Sequence, residues 1–408
     1  MPLGIMAGGT DIASAPPHAS REYMRVPGDA LVPRDGRYVL QMTEELWETG
    51  YLDAVKLLAV DHPDSVDVYV NEGFVPPAPG PAELRLYTVP RSSVRPLVAA
   101  TDEQGTDWLP ALRAQDDRYV APLTLTRYQG IATLHDLILD FGDLSGLESE
   151  GVHLFLNGWI FPTDASINLA LAQRGEAGVI FPYLEVKDPQ GRWRRVADVG
   201  FPSGKSKTVV VDLTGKFLSA DHRVRLRTNM EIYWDQAFVA AGGVGSPAAI
   251  TTLEPAGADV HYRGFSRLNR KGGRYGPEWP VYGEVSRESP WEPIVGRYTR
   301  YGDVLPLVRA PDDMYVVFAP GDEVTLTFDA NAAPPLRPGW TRDFLLYTDA
   351  WLKDSDRNTA AGNTVAPLPF HGMSRYPYGA DEAYPKDAAH ERYLQTYNTR
   401  GVGRTYRR

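Results

Sequence analysis

Hydrophobic and polar positions alternate with period two along much of this chain, the mark of strands with one face buried. The clearest case is Asp221 to Val239, DHRVRLRTNMEIYWDQAFV. Val224, Leu226 and Thr228 alternate there with Arg223, Arg225 and Arg227, and the apolar run Ala237-Phe238-Val239 follows. Tyr38 to Val55 repeats the plan: an alternating strand, a Thr, an acidic and aromatic stretch, then an Asp leading into an apolar strand. Two copies of one unit predict two related β-domains. A second echo links Leu154–Asn168 (LFLNGWIFPTDASIN) with Phe344–Asn358 (FLLYTDAWLKDSDRN).

Further strands are expected at Val66–Val70, Leu84–Val89, Tyr119–Ala121, Asp136–Phe141 and Val152–Trp159. Phe181–Lys187 and Arg192–Asp198 flank Asp188-Pro189-Gln190-Gly191, which reads as a hairpin turn with Pro early and Gly last. Thr208–Leu213, Met314–Phe318 and Glu323–Phe328 complete the set, with a short helix at Asp387–Tyr397. The fold class is therefore all-β: two jelly-roll-like β-sandwiches with an irregular, aromatic-rich C-terminal section. The expected divisions are an irregular lead-in over 1–35, a sandwich over 36–145 and a jelly-roll-like sandwich over 146–240. A β-rich section over 241–365 and an extended tail over 366–408 follow.

Composition sharpens this picture. The 38 Gly and 34 Pro among 408 residues favour short strands and turns over long helices. The net charge of −10 argues against nucleic acid as a partner, because phosphate binding needs a clustered cationic surface. The basic residues near the end, Arg392 to Arg408, read as a solvated tail. The absence of cysteine excludes disulfides, thiolate catalysis and Cys-ligated zinc. No apolar run reaches membrane-spanning length, and the N-terminus lacks the basic start and apolar core of a secretory signal.

Candidate chemistry is sparse. Glu231 and Asp235 could serve glycoside hydrolysis only if carboxylates converge in three dimensions, since two must flank a sugar. The alternative for Asp235, and for Asp53, is a carboxylate accepting backbone N–H groups beside a strand. Asp354, Asp356 and Asn358 place oxygens at alternate positions, as calcium loops do, but Gly and Glu of an EF-hand are missing, so the choice is a simpler structural calcium loop or a polar turn. No cofactor is otherwise implied. Among the eight histidines none forms an HxH or HExxH pair, and His371 before Gly372 reads as a loop position. Trp159, Tyr233, Trp234 and Trp351 lie at predicted strand ends, where they would either stack on sugars or pack the core.

Several stretches resemble the C-terminal region of bacterial multidomain proteins that carry FG-GAP propeller repeats, an ASPIC/UnbV (cartilage acidic protein-like) domain and tetratricopeptide repeats. They are ELWETGYLDAVKLLAVDHP (45–63), VYVNE (68–72), SKTVVVDL (206–213), RLRTNMEIYWD (225–235), YTRYGDVL (298–305), and 344–373 with FLLYTDAWLKDSDRN and PLPFHGM. The chain shows none of the propeller or tetratricopeptide repeats. More loosely, YLDAVKL (51–57) and WDQAFV (234–239) are similar to the closing strand of galactose-binding-like jelly rolls. The resemblance implies an exported or cell-envelope multidomain protein with a surface or adhesion-like role. Because the sequence shows a large β scaffold and no reactive constellation, the expected function is non-catalytic binding of a glycan or of another protein domain, such as an upstream propeller. A carbohydrate-active enzyme, glycoside hydrolase or lyase, is the alternative expectation.

Overall fold

The computed structural model describes residues 20–74, 84–147, 151–174, 178–202, 204, 206–241, 245–270, 278–356 and 363–403. They form an all-β molecule of two antiparallel sandwiches, with no barrel. In the first sandwich the inner sheet runs Ser20–Val26, Trp340–Asp354, Glu48–Pro63, Ala249–Leu253, and Val316–Phe318 also pairs the Glu48–Pro63 strand. Its outer sheet runs Arg37–Thr43, Asp322–Asp329, Pro255–Tyr262, Gly302–Asp303. In the second sandwich the inner sheet is Lys207–Asp212, Val152–Ile160, Ile232–Ala241, Val94–Pro96. The outer sheet there is Trp193–Asp198, Tyr183–Lys187, Val224–Met230, Ile131–Asp140, Ala99–Asp102.

A two-stranded ribbon, Val66–Tyr69 with Tyr87–Pro90, lies between the two inner sheets. Val68 and Val70 pack on Leu58, Val60 and Leu345 of the first sandwich. Tyr87 and Val89 pack on Phe155, Val210 and Phe238 of the second. Each inner sheet is thus covered on both faces, so its strands carry continuous apolar runs instead of alternation. All nine residues of Val152–Ile160 are buried for this reason. Glu72 ties the layers together. It meets Lys207 Nζ at 3.1 Å and accepts N–H bonds from Arg25 and Thr208; Arg25 lies on an edge strand of the first inner sheet, Lys207 and Thr208 on an edge strand of the second.

The repeated unit of the sequence is a corner between sheets. In each copy the alternating strand (Arg37–Thr43, Val224–Met230) joins an outer sheet, and the chain then turns into an inner sheet (Glu48–Pro63, Ile232–Ala241). The second echo holds too: Trp340–Asp354 pairs with Glu48–Pro63 as Val152–Ile160 pairs with Ile232–Ala241.

Four expectations need correction. The sandwiches are not consecutive segments: the first combines strands from residues 20–63 with strands from 249–354, and strands that lie between these in the chain build the second. Tyr119–Ala121 forms no strand. After the Val152–Ile160 strand the chain forms a helix that the strand pattern does not predict, Ala165–Arg174, whose first turn is capped by Asp164 Oδ1 accepting the Ile167 N–H at 2.7 Å. Finally, residues 363–403 are no extended tail. They wrap the first sandwich through the helix Ala388–Thr396 and a strand, Arg400–Val402, paired with Gly296–Tyr298. Arg400, read as part of a solvated basic end, pairs with the buried Asp322 and lies over the rings of Tyr298 and Tyr301.

Candidate functional site

The acidic residue at each corner sits in a β-bulge. Pairing between the Glu48–Pro63 and Trp340–Asp354 strands steps from Ala54↔Asp349 to Leu52↔Ala350, skipping Asp53. In the second sandwich it steps from Gln236↔Asn157 to Trp234↔Gly158, skipping Asp235. The extra residue of a bulge escapes the ladder and its side chain is re-aimed. Both carboxylates are aimed at the same structure. Asp235 accepts the N–H groups of Asp116 and Asp117, both at 3.3 Å, and Asp53 accepts those of Asp312 and Asp313 at 3.2 and 3.0 Å. Asp117 and Asp313 adopt left-handed backbone with φ of 61° and 65°, and their carboxylates accept Tyr119 and Tyr315 hydroxyls, each at 2.7 Å.

These turns come from a motif that the periodicity reading missed: Arg113-Ala114-x-Asp116-Asp117-x-Tyr119-Val120 and Arg309-Ala310-x-Asp312-Asp313-x-Tyr315-Val316. The repetition is visible in the sequence, although nothing in the sequence says which carboxylate receives each turn.

The two copies differ in what surrounds them. Over the first lies the C-terminal wrap. His371 Nδ1 sits 2.7 Å from Asp313 Oδ1 and 3.7 Å from Asp53, and its Nε2 is 3.1 Å from Asp349. Arg21 reaches the other oxygen of Asp349 at 3.0 Å. Tyr384 donates to the Asp313 carbonyl, and Tyr393 to the Tyr315 carbonyl at 2.9 Å. Burial works to lower the His371 pKa, but Asp313 and Asp349 more than reverse it and push it up to about 10. Burial raises Asp53 to about 8 against its two backbone hydrogen bonds. A protonated imidazole between the Asp313 and Asp349 carboxylates is a favourable charge arrangement. Asp53, Asp313 and His371 are also the group among the described residues that could hold a metal, with ligand atoms within 4.8 Å of one another. The Asp53 and Asp313 oxygens already accept N–H and O–H bonds, so a cation there would have to displace the His371 proton.

The other acids predicted from sequence are similarly engaged. Glu231 is buried and accepts the Tyr233 hydroxyl at 2.6 Å. Burial raises its pKa, and raises that of Asp235 to about 6. Asp354 Oδ1 accepts the Asp356 N–H at 2.7 Å, and Asp356 accepts the Ser166 N–H at 3.0 Å. Asn358 lies outside the described residues.

The aromatic platforms are corrected outright. Trp159, Tyr233, Trp234 and Trp351 are each at most 5% exposed. They belong to the inner sheets, whose two faces are both covered. Trp159 stacks on Tyr233 at 5.5 Å, the Trp234 ring lies over Gly158, and Trp351 packs against His371 at 5.9 Å.

Open aromatic surface occurs elsewhere. Phe265–Arg270 and Glu278–Ser286 form a two-stranded ribbon that pairs with no other strand among the described residues. Its base is held by Glu45, which accepts from Ser266 N–H and Oγ and from Arg263. Leu268, Tyr282 and Val285 on this ribbon, and Trp291 beyond it, are all exposed. Trp291 stacks on Trp47 at 5.8 Å, nearly parallel, and each indole N–H bonds the backbone beside the other. A groove of about 740 Å³ runs alongside, lined by Phe265, Arg267, Glu284, Val285, Glu288 and Pro290.

No helix among the described residues is long and apolar enough to cross a membrane. No family model and no curated protein matches the chain. Among solved structures, a chain entitled "Structure of infectious bursal disease virus Gt strain" shares 10% identity over 84% of each chain, at a TM-score of 0.12. A likeness that small carries no argument.

Proposed function

We propose that the chain is a non-catalytic binding module. What carries this reading is the fate of the acids. Glu231, Asp235, Asp53 and Asp313 are spent on backbone and tyrosine hydrogen bonds, whereas a hydrolase needs carboxylates facing a substrate cleft. Open apolar and aromatic groups gather instead around the lone ribbon of Phe265–Arg270 and Glu278–Ser286. Its aliphatic side chains, Leu268 and Val285, suit a protein partner, and a two-stranded ribbon with apolar residues in water gains from being covered. On this reading the chain docks another domain of an exported or cell-envelope assembly, in keeping with its resemblance to FG-GAP/ASPIC-UnbV proteins. A glycan is the second reading, favoured by the paired indoles of Trp47 and Trp291 and the mixed polar and apolar groove beside them.

The test is to incubate the chain with a panel of polysaccharides, recording melting temperature and released reducing ends. The expected result is no released sugar from any substrate. A melting shift with a polysaccharide that is lost in Trp291→Ala selects the glycan reading through ligand linkage. Reducing ends that disappear in both Glu231→Gln and Asp235→Asn would overturn the non-catalytic reading.

A further inference from the structure

The inner sheets end in strands whose outer edges are guarded, with one exception. Ser20–Val26 carries Arg21, Glu22 and Arg25. On Lys207–Asp212 the Thr208 carbonyl accepts the Glu72 N–H at 2.8 Å and the Val210 N–H bonds the Asn71 side chain at 3.1 Å, so that edge is taken. Val94–Pro96 holds an arginine and a proline. On Val316–Phe318 the Val317 carbonyl and N–H both bond Thr299, at 2.9 and 2.7 Å. Charge, proline and cover are the usual means of keeping an open strand from pairing with another chain.

Ala249–Leu253 has none of these. It reads Ala-Ile-Thr-Thr-Leu and pairs with Glu48–Pro63 along one side. On the other side it makes no backbone hydrogen bond among the described residues. Ala249, Ile250 and Thr252 are exposed, Ile250 by 45%. Three β-branched residues in a row, Ile250 to Thr252, favour the extended form even at an edge. An extended, uncharged strand with open N–H and C=O groups is a template for one more strand.

Its ends say which strand fits. Proline cannot donate to a ladder, and Pro247 and Pro255 stand four residues to either side of Thr251. A partner must fit between these two stops. An antiparallel copy of the same strand does so, turned about a two-fold axis at Thr251. Thr251 then faces its own counterpart, Ile250 faces Thr252 and Ala249 faces Leu253. Each Pro247 falls opposite a Pro255, so both strands stop together. Thr–Thr and β-branched pairs are favourable across strands, and no like charges meet within the run. The nearest charge, Glu254, falls opposite Ala248 and has Lys56 of its own chain at 3.6 Å.

We propose that the chain forms a two-fold dimer by antiparallel pairing of Ala249–Leu253, which joins the inner sheets of two first sandwiches into one. The contact uses the same patch on both copies and closes on itself. Its short length makes it weak. It adds a partner, a second copy of this chain, that the binding-module reading does not require.

The experiment is sedimentation equilibrium of the full chain from about 5 µM to about 1 mM, in about 0.2 M salt to screen the −10 charge of each copy. Expected is a monomer–dimer equilibrium with a dissociation constant of about 10–500 µM. Ile250→Lys places a charge from each copy beside the axis and should weaken the dimer at least about tenfold. Adding Thr252→Glu to the same chain sets each new ammonium against a carboxylate of the other copy, and should tighten the dimer at least about threefold relative to Ile250→Lys. Both positions are exposed, and melting curves check that the variants fold. Monomer alone at about 1 mM would overturn the proposal. So would a dimer that Ile250→Lys leaves within about twofold, which would place the contact elsewhere. A double variant that pairs no more tightly than Ile250→Lys would overturn the register, and the proposal with it.

Discussion

Replacing His371 with Gln tests whether the C-terminal wrap is held by charge. The imidazole bridges Asp313 at 2.7 Å and Asp349 at 3.1 Å, and its side chain is 22% exposed. Its pKa rises from 6.5 to about 10 on folding. A group whose folded pKa is raised contributes stability that is complete below the unfolded value and lost as pH climbs through the folded one. The interval corresponds to an upper bound of about 4–5 kcal/mol at 1.36 kcal/mol per pH unit. Gln keeps a donor and most of the volume but carries no charge. Guanidinium unfolding of both proteins should therefore show a loss of about 3–5 kcal/mol near pH 6, falling to about 1–2 kcal/mol near pH 10.5, where the wild-type imidazole has mostly lost its proton. Limited proteolysis near pH 6 should also cut the variant earlier within residues 363–403. An equal loss at both pH values would make His371 a packing residue and refute the charge argument. A loss below about 1 kcal/mol would mean that water screens the pair as it does surface pairs.

Four further outcomes follow from the geometry. Asp235→Ala removes the charged acceptor of two N–H bonds and should cost about 2–4 kcal/mol in denaturant unfolding, while Asp116→Ala, exposed at the same turn, should stay within about 1 kcal/mol. Because burial raises Asp235 to about 6, its ionisation opposes folding, and wild-type stability should fall between about pH 4 and pH 6 by more than that of Asp235→Asn. Lys207→Met strands Glu72 between the two sandwiches and should cost about 3–5 kcal/mol; a change below about 1 kcal/mol would show that water reaches the carboxylate. At Gly50 a Cβ would lie 2.3 Å from the Phe318 ring, so Gly50→Ala should lower stability by about 1–3 kcal/mol, and an unchanged melting temperature would show that Phe318 can move aside.

The sequence by itself determined the fold class, most strands and the doubling of the corner unit. Those features are local: alternation follows the two-residue period of a strand, and both copies of the unit make the same passage from an outer to an inner sheet. It also contained the repeated Arg-Ala-x-Asp-Asp-x-Tyr-Val turn, as a pattern without a role. Only the tertiary structure decided which strands belong together, because the first sandwich is assembled from residues far apart in the chain and the intervening segment builds the second. Burial of the aromatics was decided there as well. Trp159, Trp234 and Trp351 read as strand-end platforms until the ribbon and the outer sheets cover both faces of the strands that carry them. His371 shows the limit most plainly. In sequence it is a histidine before a glycine in a Pro-rich stretch. It becomes the centre of a charge cluster only because the wrap returns it to Asp313 and Asp349, and electrostatic coupling depends on distance through space, to which position along the chain is no guide.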